Sequence, residues 1–440
     1  MGSSGKVAPT NLQVGVIGCG IAGLSATIAL ARAGHAVEVF ERSRFTHENG
    51  AALVIGVNAT RVLAGWGFDA HKYGAMDYSQ LRRFDAKTGE LVSTEKYSGI
   101  EERYGSRWLI FHRADLHAGL LELVENPAVP YTVAPKINLG TAVSDADPDT
   151  GTITLADGRT LQKDVIIVAD GAHSKLITRV TGREEPIIKS PLSIYRFMQP
   201  ISSILEDPQA GHFYRDQPSG FTAFFVSQVG RPGVLLNTYP VRGEQLLYCA
   251  FMHPTKPQER DIGDNWNAEA GYEDLVADLR EFHPSVKVIC EGARDINVFT
   301  IMRRDPVPNL TRGRAVLVGD AGHLMLSTHG QGASQAIEDA AALEVLFGST
   351  MQGSCLSEKL VLDRVQMFDD LRGPRVKATQ TLSNKMMGPP EVMMEECRRY
   401  YDGPLPSPKA QVFSEEYNDW FFKYDVGVEA KSLLEKSVTA

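Results

Sequence analysis

Residues 18, 20 and 23 are glycines with the spacing to hold a diphosphate. The segment Gly18-Cys19-Gly20-Ile21-Ala22-Gly23 follows an apolar run, Gln13–Ile17, and opens an alanine-rich apolar stretch that ends near Gly34. In such a loop Gly18 makes the tight turn, Gly20 lets the backbone approach a pyrophosphate, and Gly23 allows close helix–strand packing. The helix N-terminus then offers N–H donors and partial positive charge to the phosphates. Residues 36–40 form a second apolar run ending in Glu41-Arg42, where the Glu41 carboxylate can accept from ribose hydroxyls. A bare GxGxxG is weak; strand, helix, second strand and acidic end together read as a dinucleotide site.

Two further runs end in the same chemistry. Residues 165–169 lead into Asp170-Gly171, and residues 314–318 lead into Gly319-Asp320. Open α/β sheets collect ligands beyond the carboxyl ends of their strands, so all three runs are expected in one parallel sheet drawn from distant parts of the chain. Between them the pattern changes to short β-rich runs. Residues 81–84 and 91–94, around Lys87-Thr88-Gly89, read as a hairpin. Residues 193–198, 211–214, 221–227, 234–239 and 245–251 read as strands of an antiparallel sheet. Beyond Gln331 the chain reads as helical over 333–347, 358–371 and 374–385, followed by an aromatic tail at 417–424.

Composition narrows the partners. The 440 residues carry 45 Lys and Arg against 54 Asp and Glu, a net charge of -9, which gives no attraction to nucleic acid or anionic lipid. The cysteines at 19, 249, 290, 355 and 397 are scattered and form no CxxC pair, so a disulfide framework or zinc site is not expected and no metal is assigned. No signal peptide or membrane span is expected; the longest apolar stretch, 14–31, is interrupted by glycines. A cytoplasmic protein, monomer or homodimer, is the expectation.

The ordered set of Gly18/Gly20/Gly23, Asp170-Gly171-Ala172-His173-Ser174 and Gly319-Asp320-Ala321-Gly322-His323…Gly330-Gln331-Gly332 resembles the single-component (group A) FAD-dependent aromatic monooxygenases. That is the group of para-hydroxybenzoate and salicylate hydroxylases. Phe111–His117, Tyr239-Pro240-Val241-Arg242 and Trp420–Asp425 resemble segments of its fungal salicylate hydroxylase-like branch. The resemblance implies an α/β fold: a discontinuous Rossmann-type FAD-binding domain (10–77, 104–183 and 292–350), an antiparallel substrate domain (78–103 and 184–291) and a helical C-terminal region (351–440). It implies FAD as cofactor, with NAD(P)H as transient co-substrate and O2 and a small aromatic compound as substrates.

The same resemblance distributes roles. Gly18, Gly20, Gly23, Glu41, Arg42, Arg113 and Asp170 would contact the cofactor, and Asp320 its ribityl chain. The turn Gly330–Gly332 with Ala333 would point a helix N-terminus at the flavin pyrimidine, and Gly50-Ala51-Ala52 would run beside the ring. Arg196 and Tyr239 match residues that bind phenolate, which a flavin C4a-hydroperoxide attacks best because the anion is electron-rich. Hydroxylation could then be plain, decarboxylative or dearomatising. Arg196 reads equally as an arginine reaching the sheet edge, and Tyr239 as a sheet tyrosine with a satisfied hydroxyl. Three departures stand out: Ile177 replaces a usual arginine, and Leu324 and Ser327 replace usual prolines. His329 reads either as a contact to substrate or flavin or as a solvated turn histidine. Epoxidation or indole oxidation, a flavin-free NAD(P)-dependent dehydrogenase and a non-catalytic flavin sensor are the alternatives.

Overall fold

The computed structural model describes residues 11–44, 51–226, 234–259, 268–348, 357–386 and 388–439. The expected parallel sheet is present. Its strand order is Thr311–Arg312, Ala315–Leu317, Val165–Val168, Gln13–Ile17, Ala36–Glu41 and Lys136–Leu139. All neighbours run parallel except the two-residue edge Thr311–Arg312. Val14, Val16, Ile166, Ile167 and Val316 are fully buried, which is why these segments are continuous apolar runs rather than alternating ones. Register pairs Ile17 with Val168 and Val168 with Leu317, so Gly18, Asp170 and Gly319-Asp320 emerge at one edge. Helices Ile21–Arg32, Arg113–Glu125 and Gly332–Leu346 pack together beside this sheet.

An eight-stranded sheet forms the second layer, ordered Ala268–Glu269, Asn297–Arg303, Ile188–Pro200, Leu246–Pro254, Leu235–Val241, Phe221–Phe225, Gln80–Asp85 and Leu91–Lys96. Its pairings are antiparallel apart from Phe221–Phe225 against Gln80–Asp85. One face buries Tyr195, Phe197, Leu236, Cys249 and Phe251; the other carries Tyr239, Tyr248 and Ala250 toward the strand Ala52–Ile55 and the C-terminal tail. Residues 211–214 are not a strand: Gly211–Phe213 is a short 3-10 turn. Asp207 Oδ1 accepts from the Gln209 and Ala210 N–H groups, and Gly211 N–H donates to Asp207 O, so the chain folds back on itself. Gly50, Ser227 and Cys355 lie outside the described residues.

The two helices expected at 358–371 and 374–385 are one, Glu358–Lys385, with Pro374 inside it. Proline removes a helical hydrogen bond and crowds the preceding turn. Here the helix is gripped on both sides of that position. Arg375 lies over the rings of Trp420 and Tyr424, 3.8 and 4.2 Å from their centroids. Arg372, fully buried, donates to Asp339 Oδ1 at 2.9 Å, Glu338 Oε2 at 2.6 Å and Gln335 Oε1 at 2.8 Å. Asp339 Oδ2 in turn meets His323 Nε2 at 2.7 Å and accepts the Gly319 N–H at 3.1 Å. Among the described residues, no helix is long and apolar enough to cross a membrane.

Removing the cation from this cluster leaves the buried carboxylates of Glu338 and Asp339 without their guanidinium partner. Arg372→Ala is expected to cost about 3–5 kcal/mol in denaturant unfolding. Burial alone would raise the Asp339 carboxyl, but His323 and Arg372 outweigh it and hold the group at about 2. Because its folded value is depressed, its contribution is fully present above about pH 4 and is lost as pH falls through about 2. Acid titration of the wild type followed by circular dichroism should show that loss, and the variant, which keeps His323 against Asp339, should show a smaller one.

Candidate active site

At the carboxyl edge of the parallel sheet each glycine of the loop has a separate physical reason. Gly18 sits at φ +101°, and a Cβ there would meet Ala169 O at 2.3 Å. A Cβ on Gly23 would meet Gly18 O at 2.0 Å, so helix and turn touch. Gly20 differs: a Cβ would meet nothing within 4 Å, although it is the residue that opens the helix Ile21–Arg32. No side chain caps that helix and no acid lies in its first turn, so its N–H groups face the open space beside Gly20. Cys19 is held from both sides, its N–H donating to Glu41 Oε2 at 2.8 Å and its carbonyl 2.8 Å from His117 Nε2. Glu41 therefore shapes the loop and also accepts the Ser43 N–H at 2.7 Å, while each oxygen keeps a second lone pair for a ribose.

Asp170 and Asp320 stand beside this loop. Asp170 Oδ1 is buried with no hydrogen-bond partner among the described residues. Burial raises its carboxyl above the usual range, opposed by Ser174 and by the charges of Arg304 and the exposed Arg42. Burial likewise raises Asp320, opposed by His323, Arg113 and Arg304. Gly319, at φ +60°, lies so close to the first helix that a Cβ would meet Ala22 Cβ at 2.6 Å, which brings Asp320 to the helix mouth. Buried Arg304 ties the two acidic turns together, donating to Ala172 O at 2.9 Å and to Asp320 O at 3.4 Å.

A second uncapped helix, Gly332–Leu346, begins nearby. Gly330 is left-handed at φ +62° and lies against Val54, while a Cβ on Gly332 would again meet nothing within 4 Å. Ala333, the next residue, is half-buried. The strand Ala52–Ile55 thus runs beside the turn. Ala51 O accepts the Arg113 N–H at 2.7 Å, and Ala52 O accepts the Tyr239 hydroxyl at 3.3 Å. Register places Arg196 opposite Ala250, Ala250 opposite Asn237 and Tyr239 opposite Tyr248, so Arg196 and Tyr239 share one face of the large sheet. Arg196 Nε is buried without a partner among the described residues, with its guanidinium 4.7 Å from the Phe299 ring centroid.

Several residues outside the predicted set prove to hold the site. Arg372, Glu338, Asp339 and His323 fix the Gly319-Asp320 turn; the signal was Glu338-Asp339 set inside an otherwise alanine-rich helix. Arg242, left-handed at φ 54°, donates to both Asp115 oxygens at 2.8 and 2.9 Å, joining the sheet to the helix headed by Arg113. The departures resolve as well. Ile177 is core, and Arg179 pairs at the surface with Asp145 at 2.7 Å. Leu324 is buried and Ser327 exposed. His329 is not a solvated turn histidine, being 4% exposed and packed against Tyr417 and Phe421.

Open space at two glycines, two uncapped helix N-termini and an orphaned buried carboxylate oxygen fit an extended dinucleotide such as FAD. A family model described as FAD binding domain matches residues 11–363. The FAD-dependent monooxygenase cfoG of Aspergillus candidus is 28% identical, over 97% of this chain and 95% of that protein. Hispidin-3-hydroxylase of Neonothopanus nambi is 28% identical, over 97% of this chain and 96% of that protein. A salicylate hydroxylase substrate complex superposes with TM-score 0.73 at 22% identity, covering 96% of this chain and 98% of that one.

The two kinds of glycine should separate experimentally. Gly23→Ala forces backbone apart and is expected to lower both stability and FAD retention. Gly20→Val, which puts a poor capping residue at the helix start, should cost the apo-protein no more than about 1 kcal/mol, yet weaken FAD at least about tenfold by crowding the diphosphate. Denaturant unfolding and FAD titration of the apo-protein check both.

Proposed function

The chain belongs to the FAD-binding domain family, and from that membership we propose an NAD(P)H- and O2-dependent monooxygenase that hydroxylates a phenolic or hydroxybenzoate-type ring. FAD, held by the residues of this site, would supply the redox chemistry, in which NAD(P)H provides two electrons as hydride, one atom of O2 goes to the ring and the other leaves as water. The chain's own residues do the rest. The helix N-termini at Gly20 and Gly332 offer N–H donors to the diphosphate and to the pyrimidine edge, where reduction builds negative charge. Asp320, Asp170 and Glu41 accept hydroxyl hydrogens along the chain between them, with Arg113 and Arg42 at hand as counter-charges.

The observation that carries the substrate assignment is the pair Arg196 and Tyr239 on one sheet face, with Arg196 Nε buried and without a partner among the described residues. Burial, reinforced by Tyr248 and only partly offset by Arg196, raises the Tyr239 hydroxyl well above its ordinary value. Tyr239 therefore stays protonated, and its hydroxyl, which donates to Ala52 O at 3.3 Å, must turn from that carbonyl to donate to a phenolate; it stabilises the anion rather than generating it. Arg196 supplies the positive charge, and together they keep the attacked ring electron-rich. Phe221, whose ring stacks 4.7 Å from Tyr239, and Tyr248 at 5.0 Å wall the face with apolar surface that excludes water. The buried thiols of Cys249, Cys290 and Cys397, not joined in disulfides among the described residues, support action in a reducing compartment such as the cytoplasm.

Aerobic NAD(P)H oxidation across phenols, hydroxybenzoates and non-aromatic controls tests the reading; one phenolic compound should accelerate it and be recovered oxygenated. Arg196→Met and Tyr239→Phe each remove a hydrogen bond to a charged group, and kcat/KM for that compound should fall about 10- to 100-fold with FAD still bound. Turnover left intact in Arg196→Met would instead favour epoxidation or indole oxidation, which need no phenolate.

A further inference from the structure

We propose that His329 Nε2 is the hydrogen-bond acceptor for a hydroxyl or amino hydrogen on the substrate ring. The substrate then carries a donor group in addition to the oxygen anchored by Arg196 and Tyr239. This inference rests on the monooxygenase reading and narrows its substrate class.

The tautomer follows from a short chain of bonds. The Thr328 hydroxyl donates its one hydrogen to Ser383 O at 2.9 Å. Thr328 Oγ1 is also 3.2 Å from His329 Nδ1. With the hydroxyl hydrogen already used, Oγ1 can only accept there, so Nδ1 carries the imidazole hydrogen. Nε2 is left with a bare lone pair. That atom is buried and has no partner among the described residues, a costly arrangement unless something is meant to meet it. Burial also pushes the imidazole down to about 3, so the ring is neutral at any working pH and the lone pair is not lost to protonation.

Position points to the substrate. His329 closes the turn Ser327–His329 directly before Gly330, which rests on Val54 of the strand Ala52–Ile55. Ala52 O of that strand receives the Tyr239 hydroxyl. The rings of Tyr417 and Phe421, with centroids 5.1 and 5.8 Å from the imidazole, close the tail over it. Arg196 can only donate to a substrate, and Tyr239 donates once its hydroxyl turns from Ala52 O, whereas His329 only accepts. A ring with one acceptor oxygen and one O–H or N–H complements this set; a ring whose second oxygen is alkylated leaves Nε2 dry. A site built to take a hydroxyl hydrogen rejects analogues that lack it far more strongly than an apolar pocket rejects a methyl group.

The test is equilibrium binding to the FAD-loaded protein, read from the flavin absorbance change. The probes are catechol, resorcinol and hydroquinone, each beside its mono-methyl ether. Wild type should bind at least one diol about tenfold or more tighter than its ether. In His329→Phe, which keeps a flat ring against Tyr417 and Phe421, that preference should collapse to within about twofold, and His329→Gln, which retains an acceptor oxygen, should restore part of it. If His329→Phe does not retain FAD, His329→Leu supplies the same comparison. A preference unchanged in the apolar variants, or no preference in wild type, overturns the assignment. Failure of every phenol either to bind or to stimulate NAD(P)H oxidation would strike the monooxygenase reading itself.

Discussion

Arg372 is fully buried and donates to both Glu338 and Asp339, and through Asp339 its charge reaches His323 and the N–H of Gly319. The cluster is small, yet three parts of the site hang from it: the turn that presents Asp320, the helix that begins at Gly332, and the long helix that carries the C-terminal tail. A buried ion pair is seldom a net gain in stability over packed apolar residues, because two charges must be stripped of water. Its use here is geometric. Fixed hydrogen bonds set the distance between the Gly319 turn and the first turn of Gly332–Leu346 in a way that interchangeable apolar contacts would not. The same anchoring keeps Glu358–Lys385 continuous through Pro374.

With that frame in place, the site is a meeting of fixed dipoles and unpaired acceptors. Two helices leave their first N–H groups uncapped at glycines with open space beside them. Asp170 and Asp320 are driven upward by burial and balanced by Arg304, Arg113 and Arg42. Arg196 contributes a buried nitrogen with no partner among the described residues. Each of these groups is poorly satisfied in the protein alone, and together they describe an elongated, hydroxyl-rich and anionic ligand with an aromatic compound held against one end. Strain and incomplete bonding concentrated at one place are what a binding site requires, since a fully satisfied surface has nothing left to offer a ligand.

Much of this was legible in the sequence because it depends on local geometry. The glycine loop, the acidic ends of three apolar runs and the Gly330–Gly332 turn are short motifs whose backbone demands restrict residue type; the loop and the acidic ends reach one sheet edge, and the turn lies against Val54. The Phe111–His117 and Tyr239–Arg242 segments were recognisable separately, but only the structure shows Arg242 bonded to Asp115. Other features were hidden for physical reasons. Lys136–Leu139 is a half-exposed edge strand with no apolar run to announce it. Residues 211–214 have β-like composition, but Asp207 captures the backbone and turns it. Pro374 signals a break that tertiary contacts at Arg372 and Arg375 override. The turn sequence left His329 open between a ligand contact and a solvated histidine, because the tail that buries it lies far along the chain.

The account stands on oxygen reaching an aromatic ring from O2 within this site. The most direct measurement is turnover of the FAD-loaded protein with NAD(P)H and isotopically labelled O2, followed by mass spectrometry of the phenolic product. One labelled oxygen atom in the product, and none taken from labelled water, is expected. Label arriving from water, or a protein that cannot be loaded with FAD at all, would contradict it.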